Sequence, residues 1–212
     1  MSKSLFKYRK GLTGGVFLLP YLIAYALFMI YPIIRTFIIS LYEWPLLGEK
    51  TWVGIQNYVH AFGDPKFLDA FWHTVYFVLL STPANVILGL ALALVLNMNF
   101  PGRGLFQAIF FAPRVLNVSV VSITWMWMLQ TNYGLVNNYL QMMGLPKIPW
   151  LTSVATAMPS VVIATVWWTV GFNMILFLAG LQDIPDTLYE AASIDGANSI
   201  RSFFHITFPL LK

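Results

Sequence analysis

The sequence predicts an all-α, polytopic membrane protein, on three observations. Of its 212 residues 58% are hydrophobic and only 9% charged, where soluble domains carry roughly a quarter charged residues. Four stretches reach the ~20 apolar residues that a bilayer core requires of a crossing helix. All eight Asp and Glu residues, and every basic residue but Arg35 and Arg114, fall outside those stretches.

The first span runs from about Val16 to Ile39. It follows a basic start (Lys3, Lys7, Arg9, Lys10) like that of a signal peptide. Its apolar run is longer than a signal h-region and no small-residue cleavage site follows, so an uncleaved span is predicted. The second covers about Ala70 to Leu96, the third about Leu105 to Leu129 and the fourth about Thr156 to Leu181. Pro83, Pro113 and Pro159 lie inside them, which membrane helices tolerate because neighbouring helices satisfy the freed carbonyls. No low-complexity tract, Gly/Ser linker or internal repeat divides the chain, and residues 1–212 read as one membrane domain.

If the spans alternate, Lys3, Lys7, Arg9, Lys10, Arg103, Arg201 and Lys212 share one side, against Lys50, Lys66 and Lys147 on the other. The excess of Lys and Arg predicts a cytoplasmic N-terminus, Arg103 loop and closing segment. Trp44, Trp52, Trp72 and Trp150 then gather at the outer interface as an aromatic belt. Two outward segments, Tyr42 to Asp69 and Gln130 to Ala155, admit two readings: they cap helix ends, or they dock an external partner.

Several chemistries are absent. There is no cysteine, so no disulfide and no thiolate site. The net charge of +4 on so apolar a chain does not suggest nucleic acid. No Gly-Lys pair exists with which to build a phosphate-binding loop. His60, His73 and His205 lack metal-ligand spacing. Ion-coupled carriers commonly keep a carboxylate within the membrane, and none lies in a span. Energy for uphill transport would then come from another subunit. Arg35, about nineteen residues and ~29 Å into the first span, can snorkel to the outer interface. Arg114 lies near mid-membrane, where a charge must face a cavity or a partner. Structural pairing and a pathway role are both open to it.

Past the fourth span comes a polar, helix-prone stretch, "LQDIPDTLYEAASIDGANSIRSFFHITFP". Pro185 suits a first helical position and Asp186 the positive helix end. Gly196 suits the left-handed residue that stops a helix, and Asn198 or Ser199 can cap a second. A helix–turn–helix is predicted. Leu188, Ala191, Ala192 and Asp195 share one face at helical spacing, and its two alanines let another protein approach closely. An amphipathic helix lying on lipid would carry Lys or Arg on its polar face. This one carries Asp186, Glu190 and Asp195, which favours docking.

Glu190-Ala191-Ala192, three residues, Gly196, nine residues, then Ile206-x-Phe208-Pro209 resembles the EAA loop of binding-protein-dependent ABC importer permeases. Phe208 stands where the family usually has Leu. "FLLPYLIAYALFMIYPII", "WVGIQNYVHAFGDPKFLDAFWHTVYF", "NYGLVNNYLQMMGLPKIPWL" and "GFNMILFLAGLQDIPDTLYEAASIDGA" look like the carbohydrate subfamily, and more like its maltose-type F subunit than its partner. The resemblance implies a type I importer permease core with four of six expected spans before Lys212, in the cytoplasmic membrane of a prokaryote. It implies a second permease, two ATPase subunits that hydrolyse the ATP, and an extracytoplasmic solute-binding protein, with no catalysis and no cofactor in this chain. Residues 183–209 would be the coupling loop, with Glu190 its polar anchor, Ala191 and Ala192 the close-contact face and Gly196 the hinge. In related permeases the fourth core helix contributes to a mid-membrane sugar site. The corresponding turns here hold Thr165, Trp168, Thr169 and Phe172, whose hydroxyls and aromatic faces suit a sugar, or ordinary packing. A sugar is the expected cargo. Another polar solute such as a glycerol phosphate, or ion-coupled transport, are the alternatives.

Overall fold

The computed structural model describes residues 17–45 and 48–211. Val16, the basic residues Lys3, Lys7, Arg9 and Lys10, and Lys212 lie outside the described residues. Two compact units are present, one up to Trp72 and one from His73.

The first unit is built on α1, Phe17–Ser40, 24 residues with none buried. An all-exposed apolar helix suits lipid as its solvent. Its ladder widens over Ala26–Ile30, where the Tyr31 amide reaches back five residues to the Ala26 carbonyl. Pro32 follows directly. A proline has no N–H to donate and its ring crowds the carbonyl four residues back, and a wide turn relieves that crowding. Beyond α1, β1 (Tyr42–Glu43) pairs antiparallel with β2 (Thr51–Trp52). A short helix follows, α2 (Gln56–Gly63). Asn57 Nδ2 donates to the carbonyls of Ser40 (2.8 Å) and Tyr42 (2.9 Å), satisfying the helix end. The Lys50 ammonium sits 4.0 Å from the Tyr42 ring centroid. Trp44, Trp52 and Trp72 stay exposed.

The 33-residue α3, Pro65–Asn97, begins in the first unit and continues into the second. In the second it packs on α7, Val154–Gln182, of 29 residues. Val162, Val166, Val170, Met174 and Leu178 recur every four residues along α7 and are buried. On α3 Phe77, Ser81, Asn85, Gly89 and Ala93 recur at the same interval, all buried or half-buried. Two such rows interdigitate ridge into groove, and small residues let membrane helices approach. A Cβ on Gly89 would lie 3.0 Å from Asn173 Cβ.

The expected third span is broken. Arg103–Val115 (α4) and Val118–Met128 (α5) meet at 96°. Leu116 and Asn117 are extended at the corner, and Asn117 Oδ1 accepts from the Ser119 amide at 2.8 Å to start the new helix. Pro113 cannot donate and so weakens the end of α4. The described residues thus hold three uninterrupted candidate spans, or four if the bent pair counts as one. α4 then meets α7 backbone to backbone at Gly171, where any Cβ would collide with the Phe110 carbonyl.

Between α5 and α7 lies α6, Leu135–Met142. Its Asn137, 0% exposed, organises the surrounding loop. Nδ2 donates to the carbonyls of Thr131 (3.0 Å) and Ile148 (2.9 Å). Oδ1 accepts from the Ile148 amide (3.1 Å) and from Trp150 Nε1 (3.0 Å). Trp150 is therefore half-buried in a hydrogen-bonded knot, where the sequence suggested an interface anchor. Ser160 ties the knot to α7 by donating toward the Trp150 carbonyl at 3.1 Å.

Candidate functional site

Two sites follow from these elements. The closing segment is the first. After α7, α8 spans Asp186–Ile194. Pro185 takes the N-cap position, one residue before the expected first helical position. Its fixed φ of −61° is kept, but ψ of 129° leaves it extended, as a cap must be. The helix stops as foreseen: Gly196 has φ +76°. The Ala197 amide donates to the Ala192 carbonyl (2.9 Å) and the Gly196 amide to the Ser193 carbonyl (3.1 Å). That bond pair is a Schellman stop. Asn198 caps α9 (Ser199–Ser202), its Oδ1 accepting from the Arg201 amide at 2.9 Å. A second wide turn, Phe203–Thr207, precedes Pro209 in α10 (Phe208–Leu210) in the register seen before Pro32. The two arms are tied by a hydrogen bond of 2.9 Å between the Tyr189 and Thr207 hydroxyls.

This turn fixes which side chains are free. Glu190, Ala191, Asp195, Gly196 and Pro209 are exposed, while Ala192 and Ile206 are half-buried. Two apolar neighbours that the motif does not flag are also bare: Ile194 is 88% exposed and Ile200 69%. Ile194 fell off the helical face counted in the sequence, so only its type in a polar stretch could have marked it.

The second site lies at the middle of α7. Trp168 is the fifteenth of that helix's 29 residues, at its middle. Thr165 and Trp168 line a cleft of about 230 Å³ between α5 and α7, with Val121, Trp125 and Ser160. Thr165 Oγ1 donates to the Val161 carbonyl at 2.8 Å. The Trp168 Nε1 atom is buried with no hydrogen-bond partner. The Arg114 guanidinium carbon lies 4.7 Å from the Trp168 ring centroid and 5.8 Å from that of Phe172. Thr169 turns away from the cleft toward α3. Its Oγ1 is 2.9 Å from Asn85 Oδ1 and 2.7 Å from the Thr165 carbonyl. Asn173 Nδ2 also donates to Asn85 Oδ1 at 3.3 Å. The expected face thus divides: Thr165 and Trp168 on a cleft, Phe172 beside a cation, Thr169 in an interhelical network. Asn85 and Asn173 were missed. Both are amides inside apolar spans, and Asn173 stands one turn from Thr169, which is the signal that could have found them. The seven candidate residues of the closing turn and the four of α7 belong to separate places on the chain. Among the described residues no cluster of His, Cys, Asp or Glu could hold a metal ion.

Comparison with known proteins gives a consistent result. The model of the binding-protein-dependent transport system inner membrane component matches residues 58–212. The chain is 40% identical over 207 residues to the trehalose/maltose transport system permease protein MalF of Thermococcus litoralis, covering 97% of this chain and 70% of that one. It is 36% identical over 214 residues to the lactose transport system permease protein LacF of Rhizobium radiobacter, covering 100% and 71%. Among solved structures it matches a chain of a bacterial alginate ABC transporter in complex with an alginate pentasaccharide-bound periplasmic protein. There the TM-score is 0.79 at 25% identity, over 97% of this chain and 69% of that one.

Proposed function

We propose a function on one premise: this chain belongs to the binding-protein-dependent transport system inner membrane components, the permeases of ABC importers. Its work is to pass a sugar or oligosaccharide across the cytoplasmic membrane, as the names of its relatives suggest for them. A permease of this kind moves its cargo without covalent chemistry, and ATP is hydrolysed by separate subunits. A second permease and a solute-binding protein complete the assembly. The N-terminus and closing turn face the cytoplasm, in keeping with the distribution of Lys and Arg.

The observation that carries this reading is the closing turn. A helix stopped at Gly196 and braced by Tyr189 and Thr207 presents Glu190, Ala191 and Ile194 outward from a rigid hairpin. A lever that transmits motion needs that stiffness. The cleft beside Trp168 is the proposed solute path. An indole face and a nearby hydroxyl suit a sugar ring, and the mid-span position suits alternating access.

Reconstitution tests the reading. The complex, purified with its partners and sealed into liposomes, should take up oligosaccharide only when ATP reaches the ATPase side. Uptake should persist when ionophores collapse the proton and sodium gradients. Uptake driven by an ion gradient without ATP would make the protein a secondary transporter instead.

A further inference from the structure

Arg114 sets a charge beside the middle of α7. Its side chain is exposed, although its neighbour Trp168 is a mid-helix residue. Its contacts are two aromatic faces, Trp168 at 4.7 Å and Phe172 at 5.8 Å. Among the described residues it makes no hydrogen bond and no ion pair. The described carboxylates all lie outside the apolar stretches, so none is on hand at this depth. Ring faces attract a guanidinium without taking up its N–H groups in ordinary hydrogen bonds, so the five donors of Arg114 are left for another partner. Those donors form the fork that grips an oxyanion with two parallel bonds.

Holding an unpaired cation at mid-membrane is costly, and such a charge meets a counter-charge or a water-filled path. Trp168 connects the two possibilities, since the same indole lines the cleft and carries the guanidinium. We propose that Arg114, held on Trp168, selects solutes bearing an oxyanion, so that the cargo is an acidic sugar carrying a carboxylate or sulfate group. This rests on the sugar-importer reading and narrows it. Arg114 acts as a specificity determinant, and Trp168 positions it. Lysine in its place keeps the charge and loses the planar fork; glutamine keeps a polar group and loses the charge.

The test uses the complete transport complex with its own binding protein in proteoliposomes. The probes are matched pairs of di- to pentasaccharides: uronates beside their carboxyl-reduced twins, and sulfated sugars beside their desulfated twins. The readout is the ratio of acidic to neutral uptake within one preparation, which cancels any loss of assembled complex. The same binding protein serves every preparation, so a change of ratio belongs to the permease. In one of the pairs Arg114→Gln should lower the wild-type ratio at least tenfold, and Arg114→Lys should recover a good part of it. An unchanged ratio in Arg114→Gln, with both members falling together, would overturn the proposal and make Arg114 a structural tie. So would a wild-type complex that carries only the neutral members. If the wild type carries no member of any pair under ATP, the sugar reading itself fails, and the acidic-sugar inference with it.

Discussion

Asn137 spends its whole amide on the loop around it, making four hydrogen bonds at 0% exposure. Truncation to alanine would strand the Ile148 amide, the Trp150 indole N–H and two carbonyls. A stranded buried group costs about 1–3 kcal/mol, and partial rehydration keeps the sum near the upper part of that range. Asn137→Ala should therefore destabilise by about 3 kcal/mol, read as a lower thermal midpoint and faster amide exchange at Thr131–Trp150. Unchanged exchange there would mean the loop is held by something else. Nothing local marks this residue: "LVNNYL" has two neighbouring asparagines, and only tertiary contact decides which one is buried. The sequence marks Trp168 as an aromatic one turn from a threonine in a span, and the structure sets both on one cleft. If it lines the solute path, Trp168→Ala should lower uptake at limiting substrate threefold to tenfold, which corresponds to about 0.5–1.5 kcal/mol for one aromatic contact. Undiminished uptake would assign Trp168 to packing alone.

At the scale of elements, the closest approach is the crossing of α4 and α7. Gly171 meets the Phe110 carbonyl with no room for a Cβ. Gly171→Ala must push the helices apart, an overpacking cost of about 3 kcal/mol. Gly89→Ala comes no closer than 3.0 Å, to Asn173 Cβ, with the Asn173 and Met174 backbone at 3.4 Å, and should cost less. Detergent-solubilised thermal stability of the two variants gives the comparison, and the order reversed would refute the crossing geometry. The long spans were legible because hydrophobic length alone defines them: Phe17–Ser40, Pro65–Asn97 and Val154–Gln182 contain nearly all of the expected stretches. The corner at Leu116 and Asn117 was not. The stretch is apolar enough as a whole to read as one span despite Arg114 and Asn117, and Pro113 is no different in kind from Pro83 and Pro159, which their helices absorb. What separates Pro113 is Asn117 four residues on, a capping residue able to start a fresh helix. The wide turns before Pro32 and Pro209 share one register and one cause, which a reading of proline as a simple breaker overlooks.

For the whole molecule, the sequence motif and the fold meet at the closing turn, whose helix, left-handed stop and second capped helix were all legible from Asp186, Gly196 and Asn198. The bracing by Tyr189 and Thr207 was not, since it joins residues 18 apart through side-chain hydroxyls. The chain spans about 70% of the length of its relatives. Coupling to the ATPase should run through Glu190 and Gly196. A Cβ at Gly196 meets no atom within 4 Å, so the penalty of Gly196→Val is backbone strain alone, about 1–2 kcal/mol. That suffices to tilt α8 without unfolding a span. Glu190→Leu removes the exposed charge while keeping helix propensity. The decisive measurement is to purify the complex carrying each variant, then determine the co-purified ATPase and the hydrolysis stimulated by solute-loaded binding protein. Both variants should insert normally and lose either the ATPase subunits or at least tenfold of the stimulation; wild-type values for both, with wild-type uptake, would show that this turn does not couple the permease to its motor.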